Sequence, residues 1–258
     1  MNHPATPEIA SSLRARVSPE EWTARVDLAA CHRLLAHYGA NDLTYNHLSM
    51  RVPGEPDHLL IKNPTMMFEE VTASSLLKFD FDGNPLQDSA RLRGGGLVIH
   101  AGVLAARGDL NAVFHTHTAA NMGVSSQKHG LLMINQHAAT FYGRIAYHTF
   151  GGFEFNMDQR APLLASLGAH DIMLLRNHGA LVCARSVQDA FFEHHFLETA
   201  CVGQIAALAG GAEYTLIDEA VCAHALVQAQ GAERLGNRAK NWSACLRQAE
   251  RLDPSFRE

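Results

Sequence analysis

Apolar residues at near-helical spacing mark the first clear element of the chain. Val26, Leu28, Ala29, Leu34 and Leu35 form one stripe after Ser18-Pro19-Glu20-Glu21. That tetrapeptide offers a serine cap, a proline at the first helical position and an acid three residues on. The pattern predicts a helix from Pro19 to about Tyr38, stopped at Gly39. Short apolar runs over 48–52, 59–61 and 77–81 read as strands, with a turn over 80–84. Gly94-Gly95-Gly96 opens a predicted helix over 97–107. A strand over 111–117, a helix over 119–126, a strand over 144–147 and a helix over 157–167 follow. Two strands, 171–175 and 180–184, flank the turn Arg176-Asn177-His178-Gly179. A long amphipathic helix then runs over 187–208 to Gly210-Gly211, and the remainder to about Arg251 is mostly helical, packed on the outside.

No internal repeat, low-complexity tract or linker interrupts this pattern. The reading is a flexible lead-in over 1–17 and a single domain over 18–258 with C-terminal helices. Strands alternating with helices predict a mixed sheet in the middle with helices on its faces, an α/β or α+β layered sandwich.

Composition narrows the class. With 258 residues, 47% hydrophobic and 18% charged, the chain can bury a full core and is unlike a disordered one. A net charge of -5 argues against capture of nucleic acid or an anionic membrane. No apolar stretch approaches the roughly 20 residues of a membrane span, and residues 1–16 lack the apolar centre of a signal peptide. Five scattered cysteines with no C-x-x-C predict free thiols in a reducing cytoplasm. The unusual figure is sixteen histidines, so their positions decide what they mean.

The run Asn111-Ala112-Val113-Phe114 leads into His115-Thr116-His117. On a strand, positions i and i+2 share a face, so two imidazoles can chelate one ion there. The competing reading is a strand with two incidental polar residues. A third imidazole, His178, sits in a tight turn just past another apolar strand, where a layered fold gathers functional groups. Three neutral imidazoles suit zinc, manganese, iron or cobalt and leave a position open for water or substrate. Arg91-Leu92-Arg93-Gly94-Gly95-Gly96 runs into a helix start, where backbone N–H groups, the helix dipole and a guanidinium favour an anion. Arg91, Arg93, Gly94 and Gly95 are therefore the substrate-binding candidates, against a solvated glycine turn. His137, Tyr142 and His148 are candidate proton carriers, each weighed against a structural hydrogen bond. His100 is a candidate to line the pocket, and Glu70 reads as structural or at its edge. Side chains of the adjacent His194 and His195 diverge by about 100° on a helix, so these two read as surface or interface residues.

His115-Thr116-His117, the short helix after it, Tyr147-His148 and Arg176-Asn177-His178-Gly179 together resemble the class II aldolase/adducin family. Asn63-Pro64 and Val71-Thr72-Ala73-Ser74-Ser75-Leu76 resemble the branch that includes the adducin head. The resemblance spans about residues 18–211. It implies an α/β/α sandwich, commonly a tetramer with sites at subunit interfaces, and a divalent ion, usually zinc, held by His115, His117 and His178. The departures are as informative. The sugar-phosphate aldolases of the family carry a glutamate, which contacts the metal and moves protons, where Gly96 stands here. Their Gly-Asn and Thr-Gly phosphate motifs are replaced by Asn46-His47-Leu48-Ser49 and Pro64-Thr65-Met66, and a serine pair by Gly94-Gly95.

The expected activity is that of a divalent-metal-dependent carbon–carbon lyase on a non-phosphorylated carboxylate. A decarboxylase of a hydroxylated aromatic or heteroaromatic acid fits first, because decarboxylation needs a proton donor at its end and no base at its start. Cleavage of a hydroxy-keto acid or sugar-type substrate by an aldolase is the second reading. A non-catalytic adducin-like interaction module is the third; the intact histidines and an end without adducin's basic extension stand against it.

Overall fold

The computed structural model describes residues 12–87, 91–153 and 156–258. Most of the lead-in, residues 1–11, lies outside them. Its described end is ordered by packing: Leu13 is buried, and the Arg14 guanidinium lies over the Trp22 ring at 5.6 Å.

Helix α1 (Pro19–His37) starts where its cap predicts, with the Ser18 hydroxyl accepting the Glu21 N–H at 3.0 Å. Gly39, at φ 77°, ends it in the left-handed region that glycine tolerates. Strands β1 (His47–Val52), β2 (Glu55–Ile61) and β3 (Leu77–Asp80) form an antiparallel meander. The Asp80 carboxylate accepts the Asp82 and Asn84 N–H groups, which closes the turn after β3 one residue earlier than the apolar run implies. A six-residue π turn, Gly96–Ala101, leads into the short helix α2 (Gly102–Ala106) and then β4 (Ala112–Thr116). Helices α3 (Ala119–Ser126) and α4 (Gln136–Ala139), strand β5 (Ile145–His148) and helix α5 (Arg160–Leu167) follow. Strands β6 (Ile172–Leu175) and β7 (Gly179–Ala184) then form a tight hairpin. Helices α6 (Val187–Leu208), α7 (Glu219–Gln230) and α8 (Ala232–Leu252) complete the main elements.

The seven strands make one mixed sheet in the order β3-β2-β1-β4-β7-β6-β5. Only β5 and β6 pair in parallel, joined through α5; the other neighbours are antiparallel. Period-two alternation divides the sheet's side chains between two cores. Leu48, Met50, Phe114, Leu174 and Val182 pack on one face with α1, α6 and α8. Leu59, Ile61, Val113, Met173 and Leu181 pack on the other with α2 and α5. Each large side chain removed from water this way stabilises the fold by about 1.5–3 kcal/mol. The result is a single α/β/α domain with β4 at the sheet's centre. No helix among the described residues is long and apolar enough to cross a membrane.

Candidate metal centre

The site forms where β1, β4 and the β6–β7 turn end together. His115 is the penultimate residue of β4, and its imidazole is 1% exposed. His117 lies one residue past the strand, which stops at Thr116, earlier than predicted. Its direction is fixed another way: the buried Asn46 accepts the His117 N–H at 2.9 Å and donates to the Ala40 carbonyl. His178 sits in the hairpin turn, its own N–H donated to the Leu175 carbonyl at 3.0 Å. Asn177 takes φ 59°, a conformation asparagine tolerates. Gly179 leaves room for the crossing of β7 and β4, since a Cβ there would lie 2.4 Å from the Thr116 carbonyl oxygen. The local sequence Asn-His-Gly is thus one turn conformation, one ligand and one close approach.

The three Nε2 atoms converge, with His117 at 2.9 Å from His115 and 3.1 Å from His178. A tetrahedral ion at its usual bond lengths places nitrogen ligands about 3.3 Å apart. Hydrogen bonds on the far side of two rings fix their tautomers. His115 Nδ1 donates to the Ala180 carbonyl at 3.0 Å, and His117 Nδ1 donates to the Asp42 carboxylate at 3.2 Å. Both acceptors lack hydrogens, so both Nε2 lone pairs face the common centre. Burial, then the neighbouring His117, His47 and His178, push His115 well below its ordinary range and keep it neutral, as a ligand must be. His115, His117 and His178 are the group of His, Cys, Asp or Glu side chains fit to hold an ion among the described residues.

A second layer supports the triad. Thr116 Oγ1 accepts from Asn121 at 3.0 Å and bonds His194 Nε2 at 2.7 Å. His194 is 1% exposed, which corrects its reading as a surface or interface residue: α6 packs directly on β4. Burial pushes it down to about 4. His195 stacks on Phe191.

Beside the triad opens a cleft of about 560 Å³, lined by His47, Lys62, Thr65, Arg91, Arg93 and Gly94-Gly95-Gly96. It gathers the segments that the sequence comparison singled out as altered phosphate motifs. Arg91 donates to the Asp82 carbonyl, and Arg93 is exposed at the rim. The expected α-helix start differs in form. Ahead of the π turn the Gly94 carbonyl takes the Leu97 and Val98 N–H groups, and Arg160 donates to the Leu97 carbonyl at 2.8 Å. Those two backbone donors are therefore occupied. At Gly96 a Cβ would meet Leu92 at 2.9 Å and Ile61 at 3.3 Å, so apolar carbon fills the place of an acidic side chain. Lys62, 2% exposed, donates to the Thr44, Asn63 and Met66 carbonyls; burial lowers it to about 8.

The candidate proton carriers fall in different places. His148 ends β5 and bonds Ser166 through Nδ1 at 2.8 Å. Two residues on, the Phe150 ring meets that of His178 edge-on at 5.8 Å. His137 stacks on Phe196 at 5.1 Å, near Arg234, and Tyr142 faces Glu219. His137 and Tyr142 thus contact α6, α7 and α8 within their own chain. Tyr147 packs under Arg176 and accepts the Leu131 N–H. His100 is fully buried beneath the cleft. Glu70 accepts the Met67 N–H, a structural bond at the loop edge. Asn46 and His47 stood out in the sequence only as part of an altered phosphate motif, with no role of their own, and Asp42 and Lys62 escaped the reading. Only a lysine directly after the apolar run Leu59-Leu60-Ile61 hinted at one of them.

Residues 26–205 match the class II aldolase and adducin N-terminal domain. The chain is 40% identical over 260 residues to a Pseudomonas aeruginosa protein bearing an aldolase class 2 name, covering 98% of this chain and 99% of that one. It is 36% identical over 189 residues to rat alpha-adducin, covering 72% of this chain and 26% of the adducin. A crystal structure of an aldolase II superfamily protein from Pseudomonas syringae superposes with TM-score 0.88 at 42% identity, over 96% of this chain and all of that one. The fold, at 21% identity, is shared with L-fuculose 1-phosphate aldolase from Glaciozyma antarctica, with TM-score 0.79 over 100% of this chain and 97% of that one. With its mixed sheet and converging histidines, the chain belongs to the class II aldolase/adducin family.

Proposed function

We propose that this protein is a divalent-metal-dependent carbon–carbon lyase acting on a non-phosphorylated carboxylate, foremost as a decarboxylase of a hydroxylated aromatic or heteroaromatic acid. One observation carries the reading: a basic, partly apolar cleft opens beside three converging imidazoles, and carbon from Leu92 and Ile61 fills the place of an acidic side chain at Gly96. His115, His117 and His178 would hold a divalent ion, zinc first and manganese, iron or cobalt after it, which would supply a Lewis acid for the charge left on carbon–carbon cleavage.

The rest is the work of the chain. Arg93, Arg91 and the Gly94-Gly95 backbone at the rim hold the carboxylate. Ile61, Leu77 and Phe79 offer the apolar wall a ring needs. Lys62 keeps its ammonium among backbone carbonyls and so braces the Asn63–Met66 loop. Within one chain the final proton falls to His148, since His137 and Tyr142 contact the outer helices. Exposed Val202, Val221 and Val227 on α6 and α7 support an oligomer, a homotetramer by family expectation.

The test pairs metal analysis with product analysis. The purified protein should carry about one divalent ion per chain and release CO₂ from a 2-hydroxybenzoate or hydroxypyridine-carboxylate panel. The double variant His115→Ala/His117→Ala should lose both. CO₂ release that survives loss of the triad would overturn the mechanism. An oxo acid plus an aldehyde from a hydroxy-keto acid, with no CO₂, would establish the aldolase reading, which the relatives' names favour.

A further inference from the structure

His47 is the first residue of β1 and lies opposite His115 in the strand register. Their ring centroids are 5.2 Å apart, so His47 flanks the triad. Its two nitrogens face different surroundings. Nδ1 lies 2.5 Å from Nε2 of His100, and Nδ1 of His100 lies 2.5 Å from the Ser49 hydroxyl. His100 and Ser49 are both fully buried. Alternation along β1 puts His47 and Ser49 on one face, and the π turn sets His100 between them. The outer edge of His47 looks the other way. A Cβ on Gly95 would meet its Nε2 at 3.5 Å and its Cε1 at 3.8 Å, so that nitrogen borders the glycine wall of the cleft.

Two ring nitrogens 2.5 Å apart share one hydrogen, and the His100–Ser49 contact couples the tautomers of the two rings, whichever way the hydroxyl points. A buried chain of this kind fixes the tautomer of its exposed member. His47 then presents one defined hydrogen-bonding atom between the metal triad and the anion-holding rim, at a wall where Gly96 supplies no side chain.

We propose that His47 is a specificity-determining residue: its Nε2 hydrogen-bonds the oxygen that the substrate carries next to its carboxylate, with His100 and Ser49 as the positioning residues that fix its tautomer. The ligand class is a carboxylate with an adjacent hydroxyl or carbonyl oxygen. The assignment deepens the carboxylate reading and rests on it.

Calorimetry on the zinc-loaded protein tests it with two probes, 2-hydroxybenzoate and benzoate, beside His47→Gln. The wild type should prefer 2-hydroxybenzoate. In the variant that preference should shrink about tenfold, the scale of one hydrogen bond, while benzoate affinity and zinc content stay unchanged. An unchanged preference overturns the assignment. So does an equal loss for both probes, which would mean general anion attraction. Failure of the wild type to bind either probe overturns the carboxylate reading and the subsite with it. Nitrogen NMR of histidine-labelled protein without either probe examines the positioning step apart from that reading. His47 should show one tautomer in the wild type and a mixture in Ser49→Ala, at equal thermal stability. Identical spectra would remove Ser49 and His100 from the role.

Discussion

At the scale of single residues, the triad depends on partners that are not ligands. Asp42 holds His117 Nδ1 at 3.2 Å and so aims its Nε2. Outer partners of this kind commonly contribute 10–100-fold to metal affinity. Asp42→Asn should therefore weaken metal binding by about that range in chelator competition, with thermal stability of the metal-free protein nearly unchanged. Wild-type affinity in the variant would show that Asn46 alone orients the ring. Gly96 argues in the opposite sense. Gly96→Glu places a carboxylate where the sugar-phosphate aldolases of the family have one, yet its Cβ meets Leu92 at 2.9 Å. Overpacking of this size costs about 1–3 kcal/mol. The variant should unfold at lower urea concentration and gain no sugar-phosphate cleavage. Gain of that activity would show that the acid alone separates the two chemistries.

At the scale of elements, the sequence exposed what is local and hid what is assembled. The i and i+2 histidines and the Asn-His-Gly turn could be read because each depends on neighbours in the chain. The strands and long helices could be read for the same reason, through their periodicity. The π turn at Gly96–Ala101 could not, because no spacing in the chain marks it, and its contact with Arg160, which donates to the Leu97 carbonyl, joins residues far apart in sequence. Asp42 and His117 are likewise far apart in sequence and meet only because β1 pairs with β4. His194 reads as a surface or interface residue because its divergence from His195 rules out a shared ion, and a helix apolar around most of its circumference hides which side is packed. The β4–β7 crossing supplies the element-scale prediction. Gly179→Ala would set a Cβ 2.4 Å from the Thr116 carbonyl and 3.1 Å from the His117 ring. It should separate the two strands where they carry ligands. Loss of bound metal and a lower thermal midpoint are expected together, and normal metal content would show that the strand ends can yield.

At the scale of the whole molecule, the histidine excess has a thermodynamic consequence. His32 and His194 are buried, and burial above all lowers them, to about 3 and about 4. In the unfolded chain each titrates near 6.5, so between that pH and its folded value the unfolded state binds a proton that the folded state refuses. Their contribution is fully present above about pH 6.5 and is lost progressively on acidification, by about 1.4 kcal/mol per pH unit for each ring. Stability should therefore fall steeply between pH 6 and pH 4. Acid release of the metal acts in the same direction, so a comparison must separate the two. His32 lies apart from the triad: its Nδ1 meets the Leu28 carbonyl, its ring meets Phe68 edge-on, and its Nε2 has no hydrogen-bond partner among the described residues. Leucine in its place removes the bondless Nε2 together with the Nδ1 bond to the Leu28 carbonyl, two opposing effects of about 1 kcal/mol each that leave stability at pH 7 nearly unchanged. His32→Leu should then gain on the wild type by about 1.4 kcal/mol for each pH unit below 6 in urea unfolding. Parallel pH profiles for the two proteins would remove His32 from the acid sensitivity and leave it to His194 and the metal site.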